Sequence, residues 1–382
     1  YGTANSNQVI LEALGMQLPG SSFINPDNPL RGELTAEAGR QLARISTRSN
    51  NYRPIGQIID ERAIVNAIVA LLASGGSTNH SIHLIAIARA AGILITWDDI
   101  ADLSQAVPLL CRVYPNGQAD INHFHAAGGT GTLFNELLSA GFMHAEAMTV
   151  WGKNFSSFNQ QAGLKDNKLV WHDAPASSHD PEVLASADAP FASEGGLRLL
   201  KGNLGKGIIK VSAVAEQHRI VEAPAVIIDS QDELKPLFES GALDRDSIIV
   251  VRFQGPRANG MPELHKLTPL LSSLQDKGYR VALVTDGRMS GASGKVPAVV
   301  HLVPEAAQGG SLAKLRNGDR LRVDALQGNL EYLGDMSELN NRPACSQSNP
   351  DPLGCGRELF SLNRANISSA DQGASYLFAS ND

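Results

Sequence analysis

A chain of 382 residues with 43% hydrophobic and 19% charged residues is long enough for two domains with cores of their own. A formal net charge of −7 with no basic stripe argues against nucleic acid as a partner, so an anionic ligand has to be held by local groups. No apolar stretch reaches membrane-spanning length and no signal peptide is visible; three cysteines, Cys111, Cys345 and Cys355, are too few for a disulfide framework and match no Cys-x-x-Cys metal spacing, which points to a reducing cytoplasm.

Residues 1 to about 175 read mainly as helices with short strands. Asp60 caps a helix whose apolar face is Ile64, Ile68, Leu71 and Leu72, and Gly75-Gly76 ends it. Ser77 or Asn79 starts a second helix through Ile82, Ile85 and Ala86 that stops near Gly92. Ile93-Leu94-Ile95 then reads as a short strand, and Asp98 or Asp99 opens another helix. His80 and His83 share a helix face, either as a hydrogen-bonded pair or as part of a metal site whose third ligand is not evident. His123 and His125 alternate as in an extended segment, so they point opposite ways and only one can face a pocket. Gly128-Gly129-Thr130 leads into a helix through Leu133, Leu137 and Leu138 that stops at Gly141, and the alternation predicts α/β layering. Gly75-Gly76-Ser77-Thr78-Asn79 offers flexible backbone, two hydroxyls and a helix N-terminus, which suits a phosphate or carboxylate; a helix C-cap followed by an N-cap would use the same letters.

Asp173 to Pro181 is the best linker candidate, dividing residues 1–180 from 195–382. Beyond it short strands dominate: Leu197 to Leu200, Ile208 to Val214, Ala225 to Asp229, Ile248 to Val251, Val281 to Val284 and Leu321 to Val323. They predict a β-barrel or β-sandwich with helical insertions. Ile248 to Val251 runs into Arg252-Phe253-Gln254-Gly255-Pro256-Arg257-Ala258-Asn259-Gly260-Met261-Pro262-Glu263. Pro262 suits the first turn of a helix from Glu263 to Asp276, and Glu263 either complements its dipole or is a hard oxygen ligand for a divalent cation. Val281 to Val284 runs into Thr285-Asp286-Gly287-Arg288-Met289-Ser290-Gly291-Ala292-Ser293-Gly294. So glycine-rich a turn either presents the Ser290 hydroxyl to a ligand or holds an incidental serine. Asp286 and Arg288 could pair to hold it, and Arg257, Lys266 and Lys295 are candidates for an anionic group or ordinary surface cations.

These two segments resemble the dihydroxy-acid and phosphogluconate dehydratase family, whose signature has Gly-Met-Pro-Glu and then Thr-Asp-Gly-Arg-x-Ser-Gly. Gly75 to His80 and the opening Tyr1-Gly2-Thr3-Ala4-Asn5-Ser6-Asn7-Gln8 extend the resemblance across the chain. Asn116-Gly117, Asp120 to Phe124 and Gly294-Lys295-Val296-Pro297 look like its phosphogluconate branch.

The resemblance implies an α/β N-terminal part followed by a swivelling, aconitase-like β-barrel. It implies an iron–sulfur cluster of the 4Fe-4S type whose cysteines lie upstream of Tyr1, in a protein longer at its N-terminus, and a magnesium ion with Glu263 as one ligand. Ser290 would be the base, acting as an alkoxide, with Ser77, Thr78, Asn79, His123, Arg288 and Lys295 binding substrate. The implied protein is a cytoplasmic homodimer that dehydrates a 2,3-dihydroxy acid. The favoured substrate is 6-phospho-D-gluconate, giving 2-dehydro-3-deoxy-6-phospho-D-gluconate in the Entner–Doudoroff route. A dihydroxy acid or a non-phosphorylated sugar acid is the nearest alternative, and a non-catalytic sugar-phosphate binding module is the alternative of another class.

Overall fold

The computed structural model describes residues 2–290, 294–347 and 358–378. Cys355 and the Gly291-Ala292-Ser293 part of the serine turn lie outside them. The chain forms two compact units. One holds the residues up to His80, Ile87–Ile95 and Asp102–Gly196; the other holds Ser81–Ala86, Thr96–Ala101 and the residues from Leu197 on.

The first part of the chain is helical: α1 (Thr3–Ala13), α2 (Leu30–Arg44), α3 (Ile55–Ile58), α4 (Glu61–Ala73), α5 (His80–Ala90), α6 (Trp97–Ala106), α7 (Ile121–Ala126) and α8 (Gly129–Ser139). Its described strands are one antiparallel hairpin, β1 (Gln160–Lys165) with β2 (Lys168–Asp173). The expected α/β layering is therefore replaced by helix-on-helix packing around α4, which is buried at Ala63, Ile64 and every position from Asn66 to Ala73. Asp60 accepts the Ala63 N–H at 3.0 Å and starts α4. Gly75, at φ +60°, ends it: the N–H groups of Gly75 and Gly76 reach back to the carbonyls of Leu72 and Leu71, which satisfies two carbonyls left open at the helix end.

Three local expectations are corrected. Ile93–Ile95 is irregular rather than a strand, and Leu94 stands 86% exposed, so this apolar run is not drawn into a core. α6 opens at Trp97 because Thr96 and Asp99 cap each other reciprocally: the Asp99 N–H donates to Thr96 Oγ1 (3.3 Å) and the Thr96 N–H to Asp99 Oδ2 (2.7 Å). His123 and His125 sit on helix α7, because Asp120 accepts the Asn122 and His123 N–H groups and nucleates it. The segment 173–181 is tied to the helices, with Thr132 Oγ1 donating to the Pro175 carbonyl (3.1 Å) and the His179 N–H to the Ala127 carbonyl (3.0 Å).

The second unit is a closed barrel rather than a sandwich. Its strands are β3 (Leu197–Gly202), β4 (Gly205–Lys210), β5 (Ile220–Ile228), β6 (Ser247–Val251), β7 (Val281–Thr285), β8 (Ala298–Val303), β9 (Arg320–Asp324) and β10 (Asn329–Tyr332), in the order β10-β3-β4-β8-β7-β6-β5-β9. β5, β6, β7 and β8 are parallel neighbours, so their C-terminal ends gather at one end of the barrel. Short helices α9 (Leu234–Glu239), α10 (Pro256–Asn259), α11 (Leu267–Asp276), α12 (Met336–Asn341) and α13 (Ser361–Asn366) decorate it. β6 and β7 are buried at every position, which explains their unbroken apolar runs. Alternate residues divide between two cores. Ile248, Val250, Ala282 and Val284 join one cluster with Leu321 and Val323, while Ile249, Val251, Val281 and Leu283 pack with Leu267, Leu271 and Leu274 of α11.

The expected helix from Glu263 starts only at Leu267. Pro262 to Leu264 is instead held extended, because Glu263 bridges Arg288 and the Leu264 N–H donates to the Arg288 carbonyl (3.2 Å). The barrel seam between β3 and β10 is tight at Gly202, where an added Cβ would lie 1.9 Å from the Leu330 carbonyl oxygen. Gly202→Ala is expected to lower stability by about 1–3 kcal/mol through overpacking against backbone. A thermal melt of the variant superimposing on that of the parent would contradict this seam.

Candidate active site

The C-terminal ends of β6 and β7 run into the two long motif segments of the barrel unit, and β8 ends beside them. One carboxylate joins all three. Asp286, directly after β7, is fully buried and accepts the N–H groups of Phe253 (3.2 Å) and Gln254 (2.9 Å) after β6 and of Ala306 (2.9 Å) after β8. Burial pushes its carboxyl up to about 6, against the pull of those donors. Glu305, 2% exposed, accepts the Arg257 and Ala258 N–H groups at 3.0 and 3.3 Å. It is pushed up to about 7, chiefly by burial, with the Asp286 charge adding to the rise. Gly255 is required beside it, since a Cβ there would lie 2.0 Å from Glu305 Oε2.

The expected pairing of Asp286 with Arg288 gives way to this arrangement, because the buried carboxylate is taken up by main-chain N–H groups. Arg288 Nε donates instead to the Met261 carbonyl (2.7 Å). Its backbone bridge to Glu263 brings the half-buried Glu263, Arg288 and Ser290 onto one pair of adjoining turns. Thr285 Oγ1 accepts the Gly287 N–H (2.9 Å), and the Gly287 carbonyl accepts the His301 N–H (2.9 Å), which fixes the start of the serine turn. Phe253, Met261 and His301 all have positive φ, at +59°, +53° and +61°, so backbone strain concentrates at this end of the barrel.

His301 is a residue that the sequence reading passed over. It lies in β8 with no solvent exposure, and Nδ1 is 3.3 Å from Ser81 Oγ. The Trp97 ring centroid lies 6.5 Å from that of His301. Its pKa is pushed down to about 3 by burial first and by His83 and Arg288 after that, so it is a neutral imidazole. The signal was present: one histidine interrupts the apolar run Val299-Val300-His301-Leu302-Val303.

In the helical unit the opening segment and the Gly75 to His80 segment come together. Thr3 Oγ1 lies 3.0 Å from Ser77 Oγ and accepts from Asn79 Nδ2 at 2.8 Å, while Ser6 Oγ accepts the Ser77 N–H at 2.9 Å. Ser77, Thr78 and Asn79 are all buried. Asn116 Nδ2 donates to the Gly75 carbonyl at 3.0 Å, so this branch-like asparagine supports the same turn. Asn79 is the N-cap residue of α5 by position, but its side chain makes no capping bond there.

Other candidates are engaged elsewhere. His123 is exposed and its Nδ1 lies 2.8 Å from Asp120 Oδ1 in the capping box of α7. Lys295 is exposed and pairs with Asp276 at 2.5 Å, and Lys266 pairs with Asp232 at 2.6 Å. Arg257 Nη2 donates to the Ala365 carbonyl at 3.3 Å. No group of three His, Cys, Asp or Glu side chains that could hold a metal occurs among the described residues. Cys111 is buried with its thiol pushed well up, and Cys345 is exposed. No described helix is long and apolar enough to cross a membrane.

The raised carboxyls of Asp286 and Glu305 have a consequence for pH. The folded chain holds their protons more tightly than the unfolded chain does. The stability they contribute is therefore fully present below the ordinary carboxylate range and is lost as pH rises through about 6 to 7. Glu305→Gln removes one of the two groups, so its melting temperature should fall less steeply than that of the parent between about pH 5 and about pH 8. Identical slopes for the two proteins would show that Glu305 titrates normally.

The N-terminal profile of the dihydroxy-acid/6-phosphogluconate dehydratases matches residues 1–158, and the C-terminal profile matches residues 182–374. The chain is 56% identical over 374 residues to a phosphogluconate dehydratase of Pseudomonas aeruginosa and 54% identical over 375 residues to that of Escherichia coli K12. In each case 98% of this chain and 62% of the relative are covered. It is 34% identical over 343 residues to a dihydroxy-acid dehydratase of Nitratidesulfovibrio vulgaris, covering 89% of this chain and 59% of that protein. The chain thus spans about three-fifths of the length of these curated relatives. With both profiles matched in order, and their motif residues gathered in the two units described above, the chain belongs to the dihydroxy-acid/6-phosphogluconate dehydratase family.

Proposed function

We propose that the complete protein is a hydro-lyase that converts 6-phospho-D-gluconate to 2-dehydro-3-deoxy-6-phospho-D-gluconate and water, the step special to the Entner–Doudoroff route. The observation that carries this reading is the identity of 56% and 54% to phosphogluconate dehydratases, against 34% to a dihydroxy-acid dehydratase. The strand-end turn that holds Ser290 beside Arg288 and Glu263 supports it.

In this reading Ser290 takes the proton from C2, beside the substrate carboxylate. The C–H electron pair is first spread onto the carboxylate as enediolate-like charge and then forms the C2–C3 double bond as the C3–O bond breaks. The departing hydroxide takes up the proton that Ser290 received and leaves as water, which restores the base, and the enol tautomerises to the 2-oxo-3-deoxy acid. A serine hydroxyl is a poor base unaided, so a cation beside it has to favour the alkoxide. Arg288 is the nearest cation in the sequence and shares its turn. Ser77, Thr78, Asn79, His123, Arg288 and Lys295 are proposed to bind substrate; Lys295 would exchange Asp276 for the ligand, and His123 would act from the end of α7.

An iron–sulfur cluster and a magnesium ion are part of the proposal by family membership. The described residues do not fit a cluster: they hold one buried and one exposed cysteine and no metal-binding group of three. Its ligands are proposed to lie outside this chain. Glu263 is kept as a single oxygen ligand for magnesium. The swivelling, aconitase-like character of the barrel, a homodimeric assembly and a cytoplasmic location complete the proposal.

The test is turnover by the full-length protein. 6-Phosphogluconate should exceed gluconate and 2,3-dihydroxyisovalerate in kcat/KM by at least about 10²-fold, since a site built for a phosphate leaves its donors unpaired without one. Ser290→Ala should lower kcat by about 10²–10⁴-fold and abolish exchange of the C2 hydrogen with solvent. Equal kcat/KM for gluconate and its 6-phosphate would exclude the substrate, and near-normal kcat in the alanine variant would exclude the base.

A further inference from the structure

We infer that His301 is a further substrate-contacting residue of this reaction, a hydrogen-bond donor through Nε2 to the oxygen on which negative charge develops as the C2 proton leaves. The inference rests on the dehydration proposed above.

Four observations carry it. First, His301 is fully buried and its Nε2 has no hydrogen-bond partner among the described residues. A buried polar atom left unpaired costs about 1–3 kcal/mol, so its retention needs a reason. A histidine kept only for packing in an interior strand would serve no better than the valines and leucine around it. Second, Nδ1 faces Ser81 Oγ at 3.3 Å. With the Ser81 hydroxyl donating to Nδ1, the ring proton sits on Nε2, which makes that atom a donor. Third, the residue lies directly behind the serine turn. Its N–H donates to the Gly287 carbonyl, one residue before Arg288 and three before Ser290, and Arg288 and His83 act on its ring electrostatically. Fourth, its φ of +61° is strained for a residue with a side chain, and such strain collects where a side chain must be aimed.

The chemistry follows from neutrality. Burial and the nearby Arg288 keep the ring uncharged, so it neither competes with Arg288 for the substrate carboxylate nor gives up a proton to Ser290. A neutral imidazole can still stabilise an enolate-like oxygen by donating a hydrogen bond, and it does so in a site where such bonds count for more than in water. The interaction strengthens as charge builds up, so it should act on kcat more than on KM.

The experiment compares His301→Leu, His301→Gln and Ser81→Ala in the full-length protein. Leucine keeps bulk and removes the donor; glutamine returns an N–H at similar reach; the serine variant frees the ring tautomer without touching β8. The leucine variant should lose about 10²–10³-fold in kcat with little change in KM, and glutamine should restore it to within about tenfold of the parent. Ser81→Ala should lower kcat by a smaller factor. All three should melt close to the parent, and the acid limb of the glutamine variant's pH profile should stay where it is in the parent. A leucine variant within about threefold of the parent kcat would overturn the inference. So would glutamine and leucine variants equally impaired together with an unaffected Ser81→Ala. The ratios are read on whichever 2,3-dihydroxy acid the parent turns over. A parent inactive on 6-phosphogluconate but active on another such acid would therefore overturn the substrate reading alone.

Discussion

The buried carboxylate of Asp286 is the constraint on which the site depends. Three parallel strands end near one another, and each leaves main-chain N–H groups with no further ladder to join. Asp286 accepts from the turns after β6 and β8 while itself standing after β7. Water could satisfy the same N–H groups, but it could not fix their positions. Glu305 repeats the device for Arg257 and Ala258, and the missing side chain of Gly255 lets it come close. The strained backbone of Phe253 is held by its bond to Asp286, that of Met261 by Arg288 Nε and that of His301 by the Gly287 carbonyl. Two carboxyls with raised pKa in one buried place are costly, and such costs are met most often where a site has to be held rigid.

The chain carries a formal charge of −7, so any anionic ligand would have to be held by short-range groups. The barrel unit holds Arg288 on the turn after β7. The helical unit, taken by itself, holds a buried set of hydroxyls and an amide, with Thr3, Ser77 and Asn79 linked to one another at the end of α4. Each set is built from backbone turns that glycine makes possible and from side chains that hydrogen bonds hold in place.

What was legible in the sequence was mostly local. Asp60, the apolar stripe of α4 and Gly75-Gly76 spelled out a helix with both ends, because capping is decided within a few residues. The apolar runs of β6 and β7 were legible for the same reason. What failed depended on partners distant in sequence. Glu263 reads as a helix start after Pro262 until Arg288, 25 residues on, pairs with its backbone. Asp286 and Arg288 read as an ion pair until the N–H groups of Phe253, Gln254 and Ala306 claim the carboxylate. Ile93–Ile95 has strand-like residues but no neighbouring strand to join among the described residues. β8 and β10 went unread because a buried histidine breaks one pattern and the other is only four residues long.

The role of Asp286 is probed most sharply by the activity of Asp286→Asn in the full-length protein. Asparagine keeps the size of the side chain and one accepting oxygen, but turns an NH2 group toward main-chain N–H donors. The variant should fold with a lowered melting temperature and a kcat reduced by about 10²-fold or more, since small displacements of reacting groups cost that much. A folded Asp286→Asn variant whose kcat stayed within about twofold of the parent would contradict the claim that this carboxylate positions the site.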